Sequence, residues 1–337
     1  MRLRRLVPLV LSSFSLAQSF TVQTSNSTEN LRGLSAVSSL IIWASGTHGT
    51  YLRTVDGGVT WSSAQVPGAE TLDFRDVAAF SADEAYVLAA GPGDQSRIYK
   101  TADAGKTWTL QFTNGDPKGF YDCMAFGDRT HGIALGDPID GVFELIATED
   151  GVHWAPLPEA ASPRSLAQEG AFAASGTCIV TQGEQVWFVT GGSAARVLRS
   201  ANRGNTWSAA DLPLVKDNVS SGAFSAVLDG RGRAIVGGGD YQHPERNPTL
   251  AISDDGGFTW QVLPVRQQSY FSAVALDPAN PQHLLAVGSA HAAYTDNLQG
   301  EIWKAYWDLN LNAAAFVGPG DAIAVGPQGK IVRFTLP

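Results

Sequence analysis

The chain has 337 residues, a formal charge of −9, 36 glycines, 17 prolines, nine tryptophans and two cysteines. Glycine at about 11%, against a usual level of about 7%, together with 16% charged residues, favours a turn-rich folded β protein and excludes a coiled coil or a disordered polymer. The excess of 32 acidic over 23 basic residues excludes a nucleic-acid footprint or an anionic-membrane patch as the main purpose.

In chain order, Arg2, Arg4 and Arg5 precede an apolar stretch from Leu6 to Leu16, and Ser15-Leu16-Ala17 places small residues just before Gln18. This pattern predicts a secretory signal peptide over 1–17 and an exported protein, periplasmic or extracellular, folded from 18–337 as one domain. The apolar run is too short and too polar to span a bilayer, which takes about 20 residues, and no later segment approaches that length. Ser19-Phe20-Thr21-Val22-Gln23-Thr24 then alternates as a strand does.

From about residue 31 one motif recurs. Thr54-Val55-Asp56-Gly57-Gly58-Val59-Thr60-Trp61 returns as Thr101 to Trp108 with Asp103, Ser200 to Trp207 with Asn202, and Ser253 to Trp260 with Asp255. Thr148-Glu149-Asp150 leads to Trp154 one residue early, and Thr295-Asp296-Asn297 leads to Trp303. Successive tryptophans lie 47, 46, 53, 53 and 43 residues apart, the length of one four-stranded propeller blade. In each copy the Asp side chain is expected to hold the backbone N–H groups of a turn, Gly to take a positive φ, and Trp to open the next strand over that turn. These Asp and Trp residues are therefore scaffold.

Six such units reach about residue 309. The remainder carries three strand-like runs, Ala313 to Val317, Ala322 to Val325 and Lys330 to Phe334, and lacks a fourth. The strand at 19–24 supplies it. The expected fold is thus an all-β, seven-bladed propeller of four-stranded antiparallel blades, the last blade closed by the N-terminal strand, so that no edge is left open. Ala155 to Gln168, rich in Ala, Pro and Ser, reads as a long loop with at most one helical turn.

Cys123 and Cys178 sit at similar strand positions of neighbouring units. Export permits a disulfide. The inner strands of adjacent units are expected to stand too far apart for it, so two buried free thiols are the first expectation and a bridge the alternative.

The repeats resemble the BNR, or Asp-box, propellers. Longer runs narrow the resemblance: Leu72 to Val77, Ser96 to Thr101, Trp108 to Asn114, Gly136-Asp137-Pro138, Glu169 to Thr177 and Val236 to Tyr241 look like bacterial relatives of the photosystem II stability/assembly factors. The resemblance covers nearly the whole of 18–337. It implies an exported, non-enzymatic propeller that binds a protein or peptide partner.

Strand direction alternates within a blade, so the Asp turns lie on one face and the connections into each first strand lie on the other, around the channel mouth. The binding candidates of that second face are Arg32, Arg75, Asp76, Tyr121, Asp122, Asp137, Asp240 and Tyr241. A sialidase-like hydrolase or ligand-sensing propeller is the alternative, because Arg32, Arg75 and Tyr121 supply a fraction of an arginine clamp with a tyrosine nucleophile. Phe74-Arg75-Asp76-Val77 lacks the entry motif of sialidases, and no catalytic set is assigned. Gly191-Gly192 and Gly237-Gly238-Gly239 do not match a dinucleotide fingerprint, and no cofactor is expected. The histidines show no metal-ligand spacing and read as solvated loop residues, so no metal is expected either.

Overall fold

Runs such as Ala85-Tyr86-Val87-Leu88-Ala89 and Ile42-Trp43-Ala44-Ser45 are apolar on both faces, which suits a strand held between neighbouring blades. The computed structural model describes residues 19–266, 269–298 and 303–336. The signal-peptide segment at 1–17 lies outside the described residues. Seven sheets follow one another along the chain. Blade 1 runs Leu31–Ala36, Ile42–Gly46, Thr50–Thr54 and Ser62–Gln65, each strand antiparallel to the next. The first strands of blades 2 to 7 are Phe74–Ala79, Tyr121–Phe126, Ile179–Gln182, Asn218–Leu228, Ala273–Leu276 and Ala313–Gly318. Each packs against the first strand of the next blade, and the seventh packs against the first, so these strands line the axis of a closed ring.

Blade 7 is shared between the two ends of the described chain, as expected. Ser19–Gln23 pairs antiparallel with Ile331–Thr335 in the register Phe20 to Phe334 and Val22 to Val332. The N-terminal strand also reaches blade 1, where Trp61 Nε1 donates to Gln23 Oε1 at 2.9 Å.

The recurring turns are built as the residues dictate. Thr54 Oγ1 donates to Asp56 Oδ1 at 2.7 Å and accepts the N–H of Gly58 at 2.9 Å. Asp56 also accepts the N–H of Thr60 at 2.9 Å and its hydroxyl at 2.6 Å. Gly58 has φ +85°, a conformation that a side chain would strain. These hydrogen bonds, the Thr60 hydroxyl foremost, lower the Asp56 carboxyl to about 2. Asp103 and Asp255 repeat the pattern, and Asn202 keeps the backbone bond to Thr206 at 2.9 Å. The shorter copy closes on His153, whose N–H meets Asp150 Oδ1 at 2.8 Å.

Two departures concern blades 3 to 5. A short ladder of Glu169–Gly170 with Gly191–Gly192 continues onto the first strand of blade 5, tying three blades together on the face opposite the Asp turns. Cys123 and Cys178 form a disulfide, with Cα atoms 6.1 Å apart and both residues fully buried. The expectation of free thiols is thereby corrected. Cys123 lies in the first strand of blade 3 and Cys178 just ahead of that of blade 4, and these two strands pack side by side near the axis, which brings the sulfurs within bonding reach.

The segment 157–168 is a loop containing one 3-10 turn, Glu159–Ala161. No helix among the described residues is long and apolar enough to cross a membrane.

Candidate functional site

The first strands of blades 1, 2, 3 and 5 each carry one extra residue, near the start in blades 1 to 3 and midway in blade 5, where the register slips between Leu31 and Gly33, Phe74 and Asp76, Tyr121 and Cys123, and Ala223 and Ser225. A bulge of this kind re-aims a side chain and recurs beside binding sites. The extra residues are Arg32, Arg75, Asp122 and Phe224. Ser272 and Asn312 stand just ahead of the first strands of blades 6 and 7.

A cavity of about 430 Å³ opens at this level, lined by Arg32, Arg75, Phe172, Ala173, Ala174, Phe224, Tyr241, Tyr270, Ser272, Ser289 and Asn312. Contributions from this many blades meet only on the ring axis, so the cavity is the channel mouth. Four aromatic rings form one wall: Phe172 and Phe224 lie 4.3 Å apart, Tyr270 is 5.9 Å from Phe224, and Tyr241 is 6.3 Å from Phe224.

The cations face that wall. Arg75 donates through Nε to Asp73 Oδ2 at 2.6 Å and through Nη1 to the carbonyl of Ala173 at 2.9 Å. Arg32 Nε is buried and meets no acceptor, and Arg32 forms no ion pair among the described residues. Burial, followed by the charge of Arg75, lowers the Arg32 guanidinium from its ordinary range, although an arginine remains charged.

Beneath the mouth lie three carboxyls. Asp122 is buried, accepts the N–H of Ala173 and leaves Oδ2 without a partner. Burial holds its carboxyl well above the ordinary range, the charge of Asp137 adds to this, and Arg75 opposes it. Asp137 is itself raised by burial, and its Oδ1 accepts the N–H of Ala171 at 3.0 Å. Asp76 is raised by burial to about 7, and its Oδ2 accepts the N–H of Met124 at 2.7 Å, joining blade 2 to blade 3. A Cβ on Gly176, which has φ +80°, would stand 2.3 Å from Asp76 Oδ1, so a glycine is required to seat this carboxyl.

The sequence-predicted candidates therefore divide. Arg32, Arg75 and Tyr241 line the mouth, and Asp122 stands behind it in the field of Arg75. Asp76 and Asp137 are bonded to neighbouring backbone. Tyr121 is only 3% exposed, with its ring edge-on to Phe112 at 5.4 Å, and burial pushes its phenol upward. Asp240 is a structural hub. Burial would raise its carboxyl, but bonds from the Ser220 hydroxyl at 2.6 Å, Asn218 at 2.9 Å and Arg246 at 2.9 Å hold it below the ordinary range.

Sequence reasoning missed Phe172 and Phe224 at the mouth. Phe224 had a signal, since it occupies the bulge position that Arg32 and Arg75 occupy in their blades. His291 is another correction. It opens a strand of blade 6, is fully buried between Phe271 and Trp307, and has both ring nitrogens unpartnered, unlike a solvated loop histidine. Among the described residues no group of three or more His, Cys, Asp or Glu is placed to hold a metal ion.

No protein-family model matches the chain. It is 27% identical over 239 residues to the photosystem II stability/assembly factor HCF136 of Arabidopsis thaliana, a match covering 68% of this chain and 43% of that protein. It is 25% identical over 242 residues to the photosystem II assembly lipoprotein Ycf48 of Synechococcus sp. (strain CC9902), covering 70% of this chain and 63% of that one. The chain thus spans less than two thirds of either relative.

Among solved structures it is similar to YCF48 bound to D1 peptide, with a TM-score of 0.68, 15% identity, and 94% and 97% of the two chains covered. YCF48 from Cyanidioschyzon merolae follows at 0.64, with 16% identity and 94% and 98% coverage. The Pan2 WD40 domain of Neurospora crassa also reaches 0.64, at 9% identity with 92% and 90% coverage. A likeness that extends to an unrelated WD40 domain is one of fold.

Proposed function

We propose that the protein is an exported propeller scaffold, folded from 18–337 as one domain, which binds a protein or peptide partner at the channel mouth in the manner of an assembly or stability factor. The observation that carries this reading is the mouth itself, where two arginines face four aromatic rings on a rigid ring of strands. Apolar walls with a few placed polar groups are the usual make-up of a binding cavity. The similar structure described as bound to D1 peptide, and the names of both relatives, support a partner of this class. A buried disulfide suits an oxidising compartment, and one relative is named a lipoprotein, which supports export. The hydrolase alternative loses support from the position of Tyr121, which is buried in the contact between blades 2 and 3.

The reading is tested with a photo-crosslinking residue placed at Tyr241, 46% exposed at the mouth, and in a second protein at Val59, 83% exposed on an Asp turn of the opposite face. In the native host, adducts with one protein are expected from position 241 and not from position 59. Equal labelling from both, or none from 241, refutes the site.

A further inference from the structure

The segment between Glu169–Gly170 and Ile179–Gln182 has neither helix nor strand, and although it leads into blade 4 it touches four other blades. Arg75 of blade 2 donates to the carbonyl of Ala173 at 2.9 Å, and Phe172 lies 4.3 Å from Phe224 of blade 5. The hydroxyls of Thr177 and Ser225 meet at 2.7 Å, and Ser175 donates to the carbonyl of Ser272, just ahead of blade 6, at 2.9 Å. Blades 2 and 6 stand on opposite sides of the ring, so 171–177 crosses the axis and stops the channel beneath the mouth. Both ends are fixed: Glu169 accepts from Thr190 at 2.5 Å and from Arg196 at 2.7 Å, and Cys178 is held by its disulfide. Blade 3 grips the middle with two acids. Asp122 and Asp137 are the extra residues beside the Tyr121–Gly136 pair on its first two strands, and they accept the N–H groups of Ala173 and Ala171.

We propose that 171–177 is a movable plug of the channel, seated on Asp122 and Asp137 while this pair keeps a proton and released once both carboxyls are ionised. The device is independent of what the mouth binds. Two neighbouring carboxylates removed from water repel each other, and lifting the strap lets water reach them. Burial raises both carboxyls more than the bonds from the strap lower them, and the charge of Asp137 adds to the rise at Asp122. The seated state therefore favours the protonated pair, so seating is complete below about pH 4 and is lost as pH rises. Arg75 opposes the rise at Asp122 but is itself engaged by Asp73 at 2.6 Å, with Arg32 beside it. The other titratable groups along the strap are Asp76 against Gly176, Glu169 in its pair with Arg196, and Tyr241 edge-on to Phe172 at 6.4 Å. The strap contributes none of its own between 170 and 177. Release takes Phe172 out of the aromatic wall and the Ala173 carbonyl away from Arg75, and opens the channel to solvent.

The test is hydrogen exchange of the full chain from pH 5 to pH 8.5, read at Ala171 and Ala173 by mass spectrometry with electron-transfer fragmentation and corrected for the intrinsic rate at each pH. Protection at both is expected to fall as pH rises, by up to about tenfold per unit for one proton released on opening, and more steeply than at Trp43 and Leu52 in blade 1. The double variant Asp122→Asn/Asp137→Asn keeps both acceptors and is expected to abolish the excess over blade 1. Asp76→Asn, which removes the next buried carboxyl, is expected to leave that excess in place. Protection that stays constant in the parent overturns the proposal, and this comparison needs no variant to fold. A fall shared equally by blade 1 assigns the pH effect to the whole ring and overturns it as well. An excess that survives the double variant, or that disappears with Asp76→Asn, removes the pair from the role.

Discussion

Asp76 illustrates how much a single carboxyl depends on its surroundings. On the sequence it is one member of an Arg-Asp pair in a strand and a binding candidate of the channel face. In the fold it is buried and bonded to a backbone N–H, with its value raised to about 7 from 3.8. A raised value means that folding favours the protonated form, so this contribution to stability is complete below about pH 4 and is lost as pH rises through 7. Asp76→Asn removes the titration while keeping an acceptor for Met124. Chemical denaturation of both proteins from pH 4 to pH 8 is expected to show the variant gaining on the parent as pH rises, by up to roughly 4 kcal/mol at about 1.4 kcal/mol per unit. A difference that stays constant over that range would mean that Asp76 does not titrate there. Arg32 and Tyr121 were equal candidates on paper as well. The bulge at Arg32 turns its side chain into the mouth, whereas Tyr121, one residue ahead of its own bulge, falls on the blade contact. A one-residue slip of register decides between the two outcomes.

The repeated turn was legible at the level of the element because the side-chain bonds that close it lie within eight residues. Thr54, Asp56, Gly58 and Thr60 carry the side-chain bonds that close the turn, while Leu40, Gln23, Asn26 and Arg333 tie it to its surroundings, and the same spacing returns around the ring. The disulfide is the opposite case. It joins the first strand of blade 3 to the residue just ahead of the first strand of blade 4 across 55 residues, and nothing in the local pattern of Cys123 or Cys178 announces it. Closing a loop of that length restricts the unfolded chain by about 4 kcal/mol in the loop-entropy picture. Replacing both cysteines with alanine is expected to lower unfolding free energy by an amount of that order, measured in denaturant without reductant. A loss below about 1 kcal/mol would show that the remaining contacts of blades 3 and 4 hold the ring there unaided.

At the scale of the whole molecule, closure depends on Ser19–Gln23. Without this strand, Ile331–Thr335 presents an unpaired edge, and Trp61 loses the side chain that accepts its N–H. Deletion of 19–24 is expected to lower the melting temperature by more than about 5 °C and to promote self-association seen by size-exclusion chromatography. A monomer that melts with the parent would mean that six blades and a three-stranded seventh suffice.

The period of the tryptophans, the turn chemistry and the missing strand together specified a seven-bladed ring closed by its N-terminal strand, because each is carried by neighbours in sequence or by a count along it. The tertiary structure alone decided which candidates share the mouth, that Phe172 and Phe224 join them, that His291 is buried and that the two cysteines meet. Those outcomes depend on bulge register and on the convergence of first strands at the axis, and both arise between blades, where the spacing of residues along one chain carries no distance.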